Sequence, residues 1–107
     1  MSIEVHDDAG KTRYELREDG ELVGFAEYRL GDGRITFIHT EIDAAHRGRG
    51  LASELARAAL HDAKRRGLKV VPRCSFIADF IRKNVDEYLS LVVPSLRQRL
   101  IRSTGHD

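Results

Sequence analysis

The hydrophobic pattern of this chain changes its period at residues 47–50, and no other feature constrains the fold as strongly. Before this point, apolar residues alternate with polar ones or fill short runs such as ITFIHTEI at 35–42, which is typical of strands. After it, apolar residues recur at helical spacing: Leu51, Ala52, Leu55, Ala56, Ala59, Leu60 and Ala63. The sequence therefore predicts several strands and then an amphipathic helix, joined by the loop Arg47-Gly48-Arg49-Gly50.

Turn signals divide the two halves further. Asp19-Gly20 predicts a tight hairpin, and Gly31-Asp32-Gly33 predicts a second turn. The strands around them are expected to form an antiparallel meander whose later strands, apolar on both faces, are interior. Gly67 is expected to end the helix in a left-handed conformation, and LKVVP at 68–72 to form a short buried strand.

The last third of the chain predicts three more elements. Ser75 is expected to cap a second helix with an apolar stripe at 76, 77, 80 and 81. YLSLVV at 88–93 is expected to be a final strand ended by Pro94. Residues 95–107 read as a basic helix or a frayed tail. We therefore expect a single domain over 1–94 and a basic C-terminal segment over 95–107.

Composition narrows the class of protein. The 107 residues suffice for one domain, and no apolar run approaches the roughly 18 residues that cross a membrane. The first residues lack the pattern of a signal peptide, so a cytoplasmic location is expected. The single cysteine excludes an internal disulfide and a zinc site of the CxxC type, and no metal site is expected.

Charge is distributed unevenly although the formal net charge is only +1. Residues 1–45 carry five basic and eleven acidic side chains, whereas residues 46–107 carry thirteen basic and six acidic ones. The second half therefore favours an anionic partner, which could be a nucleic acid, a membrane or a phosphorylated small molecule.

The loop at 47–52 has the chemistry of a diphosphate cradle. Gly48 and Gly50 allow a sharp turn and close approach of a ligand, and the first amides of the following helix lack internal partners. A P-loop is excluded because no Lys-Ser or Lys-Thr pair follows Gly50. A dinucleotide-binding loop is disfavoured because Ser53 stands where a third glycine belongs. A glycine-rich turn with solvated arginines remains an alternative.

The pattern Arg-x-x-Gly-x-Ala at 47–52, after a strand and opening a helix, resembles the acetyl-CoA loop of the GNAT acetyltransferase superfamily. The blocks FIHTEIDAAHRGRGLASELARAAL, VVPRCSFIADFI and NVDEYLSLV are similar to a small GNAT-related family with a Pro-x-Cys-Ser segment. The resemblance covers residues 12–93. It implies an α+β sandwich with a mostly antiparallel mixed sheet, splayed fourth and fifth strands, and helices packed on its faces.

The resemblance also implies which residues contact acetyl-CoA. The end of the fourth strand, Thr40 to Ile42, would bind the pantetheine arm through backbone groups, and the loop amides would bind the pyrophosphate. The expected cofactor-contacting residues are Thr40, Ile42, Arg47, Gly48, Arg49, Gly50, Leu51, Ala52 and Ser75.

The catalytic groups are less clear from the resemblance. The tyrosine that many GNAT enzymes use as an acid is replaced by Arg82, and Tyr88 is a distant substitute. Cys74, beside Arg73 and before a helix, is the expected replacement, as an acid or as an acetyl acceptor, with a small buried hydrophobe as the alternative. His39 and Glu41 share a strand face, and either could accept the amine proton; a structural histidine is the alternative.

Together these features predict an acetyl-CoA-dependent N-acetyltransferase acting on an amine of a small molecule or a protein, as a monomer or weak dimer. Two alternatives remain: a non-catalytic acyl-CoA-binding or sensing module, and a small nucleic-acid-binding domain. No nucleic-acid or membrane partner is expected, since no known nucleic-acid-binding motif is present.

Overall fold

A computed structural model of the chain describes residues 2–102. The strands are β1 Ile3–Asp8, β2 Arg13–Glu18, β3 Glu21–Gly31, β4 Arg34–Ile42 and β5 Lys69–Pro72. They form one sheet in the order β1-β2-β3-β4-β5, antiparallel from β1 to β4 and parallel between β4 and β5. The expected meander with interior later strands is confirmed, because β3 and β4 each have a strand on both sides. The helices are α1 Leu51–Arg65, α2 Ser75–Arg82, α3 Val85–Tyr88 and α4 Pro94–Arg102.

Both turns predicted from Gly and Asp are present. Asp19 and Gly20 have φ of 50° and 86°, and Asp32 and Gly33 have φ of 53° and 73°. Two successive left-handed residues match the twist of antiparallel strands, which is why Asp-Gly pairs are favoured there. Gly67 follows α1 with φ of 71°, as predicted for the end of this helix.

The core lies between one face of the sheet and α1. The helix buries the stripe that its sequence predicts, and Leu55, Ala56, Ala59, Leu60 and Ala63 are fully buried. Small alanines let the helix approach the large side chains of the sheet, which include Tyr14, Leu16, Tyr28 and Phe37. The helices α2 and α3 lie beside α1, where Arg57 of α1 stacks on Phe80 of α2 and His61 of α1 bonds Tyr88 of α3.

The predicted strand at 88–93 is wrong. The chain forms the short helix α3 and then a 3-10 turn at Leu89–Leu91, and only Val92 bridges to Val70 of β5. The buried residues of this run are Tyr88, Leu91, Val92 and Val93. The spacing of three and four residues between Tyr88 and the next buried residues fits a helical turn. Packing of the Tyr88 ring on Phe80 favours this helical turn over a strand.

Residues 94–102 form α4, which begins at Pro94, a residue suited to a first helical position. The helix packs on α2 through the buried Leu100, whose carbonyl accepts a hydrogen bond from Nε of Arg82 at 2.9 Å. The rest of the predicted basic segment, 103–107, lies outside the described residues. Within residues 2–102, the structure contains no helix that is long and apolar enough to cross a membrane.

A bulge in β4 decides which side chains face the helices. Glu27 pairs with His39, but Tyr28 pairs with Phe37, so Ile38 is an extra residue in β4. Simple alternation would place His39 on the same face as Phe37. The extra residue instead places Thr40 and Ile42 on the helical face, and His39 and Glu41 on the opposite face.

Candidate functional site

The Arg47–Gly50 loop connects β4 to α1 through a 3-10 turn at Ala44–His46. Gly48 and Gly50 have φ of 82° and 77°, which is the left-handed region that glycine adopts without strain. Gly50 is the N-cap residue of α1, and no side chain caps the helix. The first amides of α1 therefore keep their donor capacity, and the helix dipole adds positive potential at this end.

A small hollow lies in front of these amides. It has a volume of about 110 Å³ and is lined by Ile42, His46, Arg47, Gly48, Gly50, Leu51 and Ala52. Six of these seven residues belong to the cofactor-contacting set expected from the sequence. Among the described residues, apart from the glycine itself and its two chain neighbours, no atom lies within 4 Å of the position that a Cβ would take on Gly48 or Gly50. The space in front of the loop is therefore open to a ligand.

The two loop arginines have different surroundings. Nε of Arg47 donates to the carbonyl oxygen of Ile42 at 3.2 Å, which ties the loop to the end of β4. Arg49 forms a two-point ion pair with Glu18 at the end of β2, with Nη1 at 2.9 Å from Oε1. His46 lies 3.7 Å from the same carboxylate. Glu18 thus offsets part of the positive charge beside the hollow, and the Arg49 guanidinium lowers the pKa of Glu18.

The pairing of β5 with β4 stops before β4 ends. Their pairing runs from Arg34–Lys69 to Phe37–Pro72, and the amide of Cys74 then donates to the carbonyl of Phe37 at 2.8 Å. The remainder of β4 has no partner in β5. The splayed strands expected from the sequence are present.

Cys74 stands where the two strands separate. Its side chain is only 5% exposed, and Sγ lies 3.2 Å from Oγ1 of Thr40. Cys74, not Ser75, is the N-cap residue of α2, and no side chain caps this helix. The predicted cap at Ser75 is therefore wrong by one residue, because Ser75 already has helical conformation. A contribution of Ser75 to cofactor binding stays a prediction.

His39 and Glu41 lie on the opposite face of the sheet. Nε2 of His39 is 3.0 Å from Oε1 of Glu41, and the two side chains are 54% and 57% exposed. The rings of His39 and Phe25 meet in a T-shaped arrangement with centroids 6.1 Å apart, and the guanidinium of Arg13 lies over the Phe25 ring. The structure thus places His39 and Glu41 on one strand face, as their spacing predicted, and in contact with each other, but it does not bring them into contact with Cys74.

Arg82 stands at the position of the expected tyrosine and provides no phenol, and Tyr88 makes its contacts elsewhere. Nη1 of Arg82 pairs with Asp79, and Nε bonds α4. Tyr88 is buried against α1, where its hydroxyl bonds His61 at 3.0 Å, and burial raises its pKa. Tyr88 therefore serves the packing of α3 in this structure.

Glu18 is the residue that sequence reasoning missed. It lies 31 positions before Arg49, and no motif links the two. Its only local signal is its place at the end of a strand before the Asp19-Gly20 turn. That place predicts a position at the edge of the sheet but not its contact with the loop.

A second polar network lies at the other end of α1. The hydroxyls of Tyr14 and Tyr28 donate to Asp62 and Asp7, and Arg66 contacts both carboxylates. Burial raises the pKa of Tyr28 to about 12 and raises that of Tyr14 further. A cavity of about 530 Å³ adjoins this network. These side chains satisfy one another and fasten the end of α1 to the sheet.

Comparisons of sequence agree with the fold. A sequence model of GCN5-related N-acetyl-transferases matches residues 13–91. Protein NATD1 of Xenopus tropicalis is 32% identical over 97 residues, which cover 87% of this chain and 88% of that protein. Protein NATD1 of Homo sapiens is 32% identical over 96 residues, covering 86% and 84%.

Solved structures give the same result. A GCN5-like protein of Staphylococcus aureus, determined by NMR, matches with a TM-score of 0.62 at 24% identity and covers 87% of this chain and 91% of that chain. A ribosomal-protein-alanine N-acetyltransferase of Brucella melitensis biovar Abortus 2308 matches with a TM-score of 0.52 at 28% identity. That match covers 58% of this chain and 49% of the Brucella chain, so the chain spans about half of that enzyme.

The meander, the separated strands and the glycine loop before α1 define a protein of the GNAT fold class. With the match over 13–91 and the NATD1 relatives, the chain belongs to the GCN5-related N-acetyltransferase family. The family and the mixed-sheet fold expected from the sequence are confirmed, but helices were expected on both faces, and in the described residues they leave one face of β2 to β4 uncovered. The expected family-wide Pro-x-Cys-Ser segment is not tested by these matches and stays a prediction.

Proposed function

We propose that the protein is an acetyl-CoA-dependent N-acetyltransferase. The observation that carries this proposal is the uncapped start of α1, which opens onto the hollow at the unpaired end of β4. A diphosphate suits such a helix start because amide donors and the helix dipole both favour negative charge.

The residues of the loop fit a pyrophosphate group. The amides from Gly48 to Ala52 would hold it, with Arg47 adding charge, and the backbone of Thr40 to Ile42 would hold the pantetheine arm. Open space at Gly48 and Gly50 supports this fit, because a phosphate must come close to the backbone to accept from its amides. Acetyl-CoA, when bound, supplies an acyl thioester that an amine can attack.

His39 and Glu41 are the groups suited to accept the amine proton. Their 3.0 Å contact orients the imidazole, and their exposure leaves room for an acceptor. Cys74 is suited to donate a proton to the leaving thiolate, and the Thr40 hydroxyl fixes the direction of its Sγ. Base and acid would then act from opposite faces of the sheet.

A matched pair of variants tests the base. His6 and Glu4 on β1 repeat the geometry of His39 and Glu41, with the same 3.0 Å contact and 62% and 63% exposure. In an assay of CoA release from acetyl-CoA over a panel of amines and peptides, H39Q should lower kcat at least tenfold and H6Q should not. CoA binding with equal kcat for the wild type and H39Q would exclude His39 as the base.

Two variants test the thiol. If Cys74 only donates a proton, C74S should retain part of the activity that C74A loses. If the acetyl group passes through Sγ, both variants should be inactive, and intact-mass spectrometry of the wild type with acetyl-CoA alone should show one added acetyl group. Full activity of C74A would remove Cys74 from the reaction.

A non-catalytic acyl-CoA-binding module is the second candidate. The observations that favour it are the ion-paired Arg82 in place of a tyrosine and the 5% exposure of Cys74. It predicts stabilisation by CoA without CoA release on any acceptor. Turnover with one acceptor would exclude it.

A further inference from the structure

The face of the sheet opposite α1 is the place where an acceptor has access to the separated strands. On the other face, α1 and α2 cover β4 and β5, with Phe37 and Ile77 fully buried. On the opposite face, the side chains of β2 to β4 in the described part of the chain are exposed or partly buried, except for the ion-paired Glu15. An amine that approaches from this face meets His39 and Glu41 first.

The strand register defines the charge pattern of this open face. Glu27 lies beside His39 in the pairing of β3 and β4. Arg29 lies two residues after Glu27 on β3. Gly31 lies two residues after Arg29, and Arg34 of β4 pairs with Gly31. With about 3.4 Å per residue, the two arginines stand roughly 7 and 14 Å from the His39 row.

These charges are not neutralised by neighbours. Within residues 2–102, the side chains of Glu27, Arg29 and Arg34 form no ion pair, whereas Arg13 and Arg17 both pair with Glu15 at 2.8 and 2.9 Å. The open face thus has negative charge next to the reacting histidine and uncompensated positive charge further along the strands. An acceptor that complements it has a cationic amine followed by acidic groups.

The flatness of the face indicates the size of the acceptor. The smallest extent of the molecule is 19 Å, which is the thickness of one sheet and one helical layer. No further layer encloses the half-exposed His39 and Glu41 in the described residues, so a small amine would be held on one side only. An extended polypeptide could contact His39, Arg29 and Arg34 at once, because its residues advance about 3.3 Å each.

The exposure of the base also selects the kind of amine. At pH 7.5 about a quarter of an α-amino group is neutral, but only about one lysine side chain in a thousand is. A lysine side chain in water stays protonated at neutral pH, and a half-exposed surface does not lower its pKa by burial. The α-amine is therefore the better nucleophile here.

We infer that the acceptor is the N-terminal α-amine of a polypeptide with acidic residues at about its third and fifth positions, docked on the open face of β2 to β4. This inference rests on the proposed acetyltransferase activity. Residues three and five stand two and four steps from the amine, which matches the distances to Arg29 and Arg34.

The test compares four decapeptides as acceptors in the CoA-release assay. The first has a free N-terminus with Glu at positions 3 and 5, the second has Lys at both positions, and the third has Gln. The fourth repeats the first with a blocked N-terminus and an internal lysine. The expected order of kcat/KM is Glu above Gln above Lys, with about tenfold between the extremes and negligible transfer to the blocked peptide.

A double charge reversal, R29E/R34E, should raise KM for the Glu peptide about tenfold and leave its kcat unchanged. It should also favour the Lys peptide. The control K64E/K83E makes the same change of charge at exposed lysines on the helical layer and should leave the peptide preference unchanged. A selective rise of KM is not expected if Arg29 and Arg34 only stabilise the fold.

Failure of this inference differs from failure of the proposed function. Turnover of small amines or of the blocked lysine peptide at the rate of the Glu peptide overturns the inference and leaves an acetyltransferase. CoA binding without transfer to any peptide also overturns it. Absence of both CoA binding and CoA release overturns the acetyltransferase itself.

Discussion

Replacing Gly50 by alanine tests the proposed pyrophosphate site, because the loss of folding stability can be measured separately from the loss of CoA affinity. Gly50 has φ of 77° and ψ of 13°, and no described residue other than its two chain neighbours has an atom within 4 Å of the position of the missing Cβ. Alanine therefore meets no clash, and the penalty is that of an L residue in the left-handed region, about 1–2 kcal/mol. For a domain of this size, each 1 kcal/mol lowers Tm by about 4–8 °C.

Gly67 at the other end of α1 supplies the matched control. Its φ is 71°, and in the described part of the chain only its two neighbours in sequence approach its Cβ position within 4 Å. G67A should therefore lower Tm by about as much as G50A. Only G50A changes the proposed ligand site, because Gly50 lines the hollow in front of the first amides of α1 and Gly67 does not.

Isothermal titration with CoA measures the difference. G50A should weaken binding at least tenfold, or about 1.4 kcal/mol, since the new methyl group stands in the space that a phosphate must enter. G67A should bind CoA like the wild type once both are folded at the temperature of the experiment. Equal affinity of G50A and G67A would refute a pyrophosphate site at this loop.

Three further predictions concern other parts of the structure. E18Q should tighten CoA binding about two- to fivefold, because it removes a negative charge beside the hollow. The control E21Q, in the same hairpin, should leave CoA affinity unchanged. Weaker CoA binding by E18Q would contradict this prediction and would mean that Glu18 positions Arg49 for the ligand. G24A should cost about 1–3 kcal/mol in urea unfolding, because its Cβ would lie 2.5 Å from Cδ1 of Ile42 and 2.9 Å from the carbonyl of Glu41, whereas G31A, with open space, should cost less than 1 kcal/mol. The three tyrosines all have raised pKa values, so their neutral forms stabilise the fold below pH 10, and that contribution is lost as pH rises towards about 12. At pH 10, where half of the tyrosines of the unfolded chain are ionised, the absorbance of the native protein at 295 nm should not yet have risen. A rise of this absorbance below pH 10 would contradict the burial of the tyrosines.

The elements that could be predicted from the sequence are those fixed by neighbours in the chain. The Asp-Gly pairs set two turns, and the alanine-rich stripe of α1 set both its position and its buried face. The glycine loop could be predicted because it is a local signal, with two glycines between a strand and a helix. That His39 and Glu41 share one strand face followed from their spacing alone.

The parts that could not be predicted depend on contacts between distant residues. The bulge at Ile38 reverses the faces of His39 and Thr40, and it is visible only in the pairing with Glu27 and Tyr28. The contact of Glu18 with Arg49 brings together residues 31 positions apart. At 88–93, packing of Tyr88 outweighed a sequence rich in strand-forming residues.

The most direct test of the central claim is a titration of the 15N-labelled protein with CoA, followed by amide NMR shifts. A pyrophosphate at the start of α1 predicts the largest shifts at Gly48, Gly50, Leu51 and Ala52, with smaller ones from Thr40 to Ile42. It also predicts that CoA and acetyl-CoA shift the loop amides alike, because the two share the pyrophosphate and differ only at the thiol end. Shifts confined to another part of the chain, or none at millimolar CoA, would contradict the account.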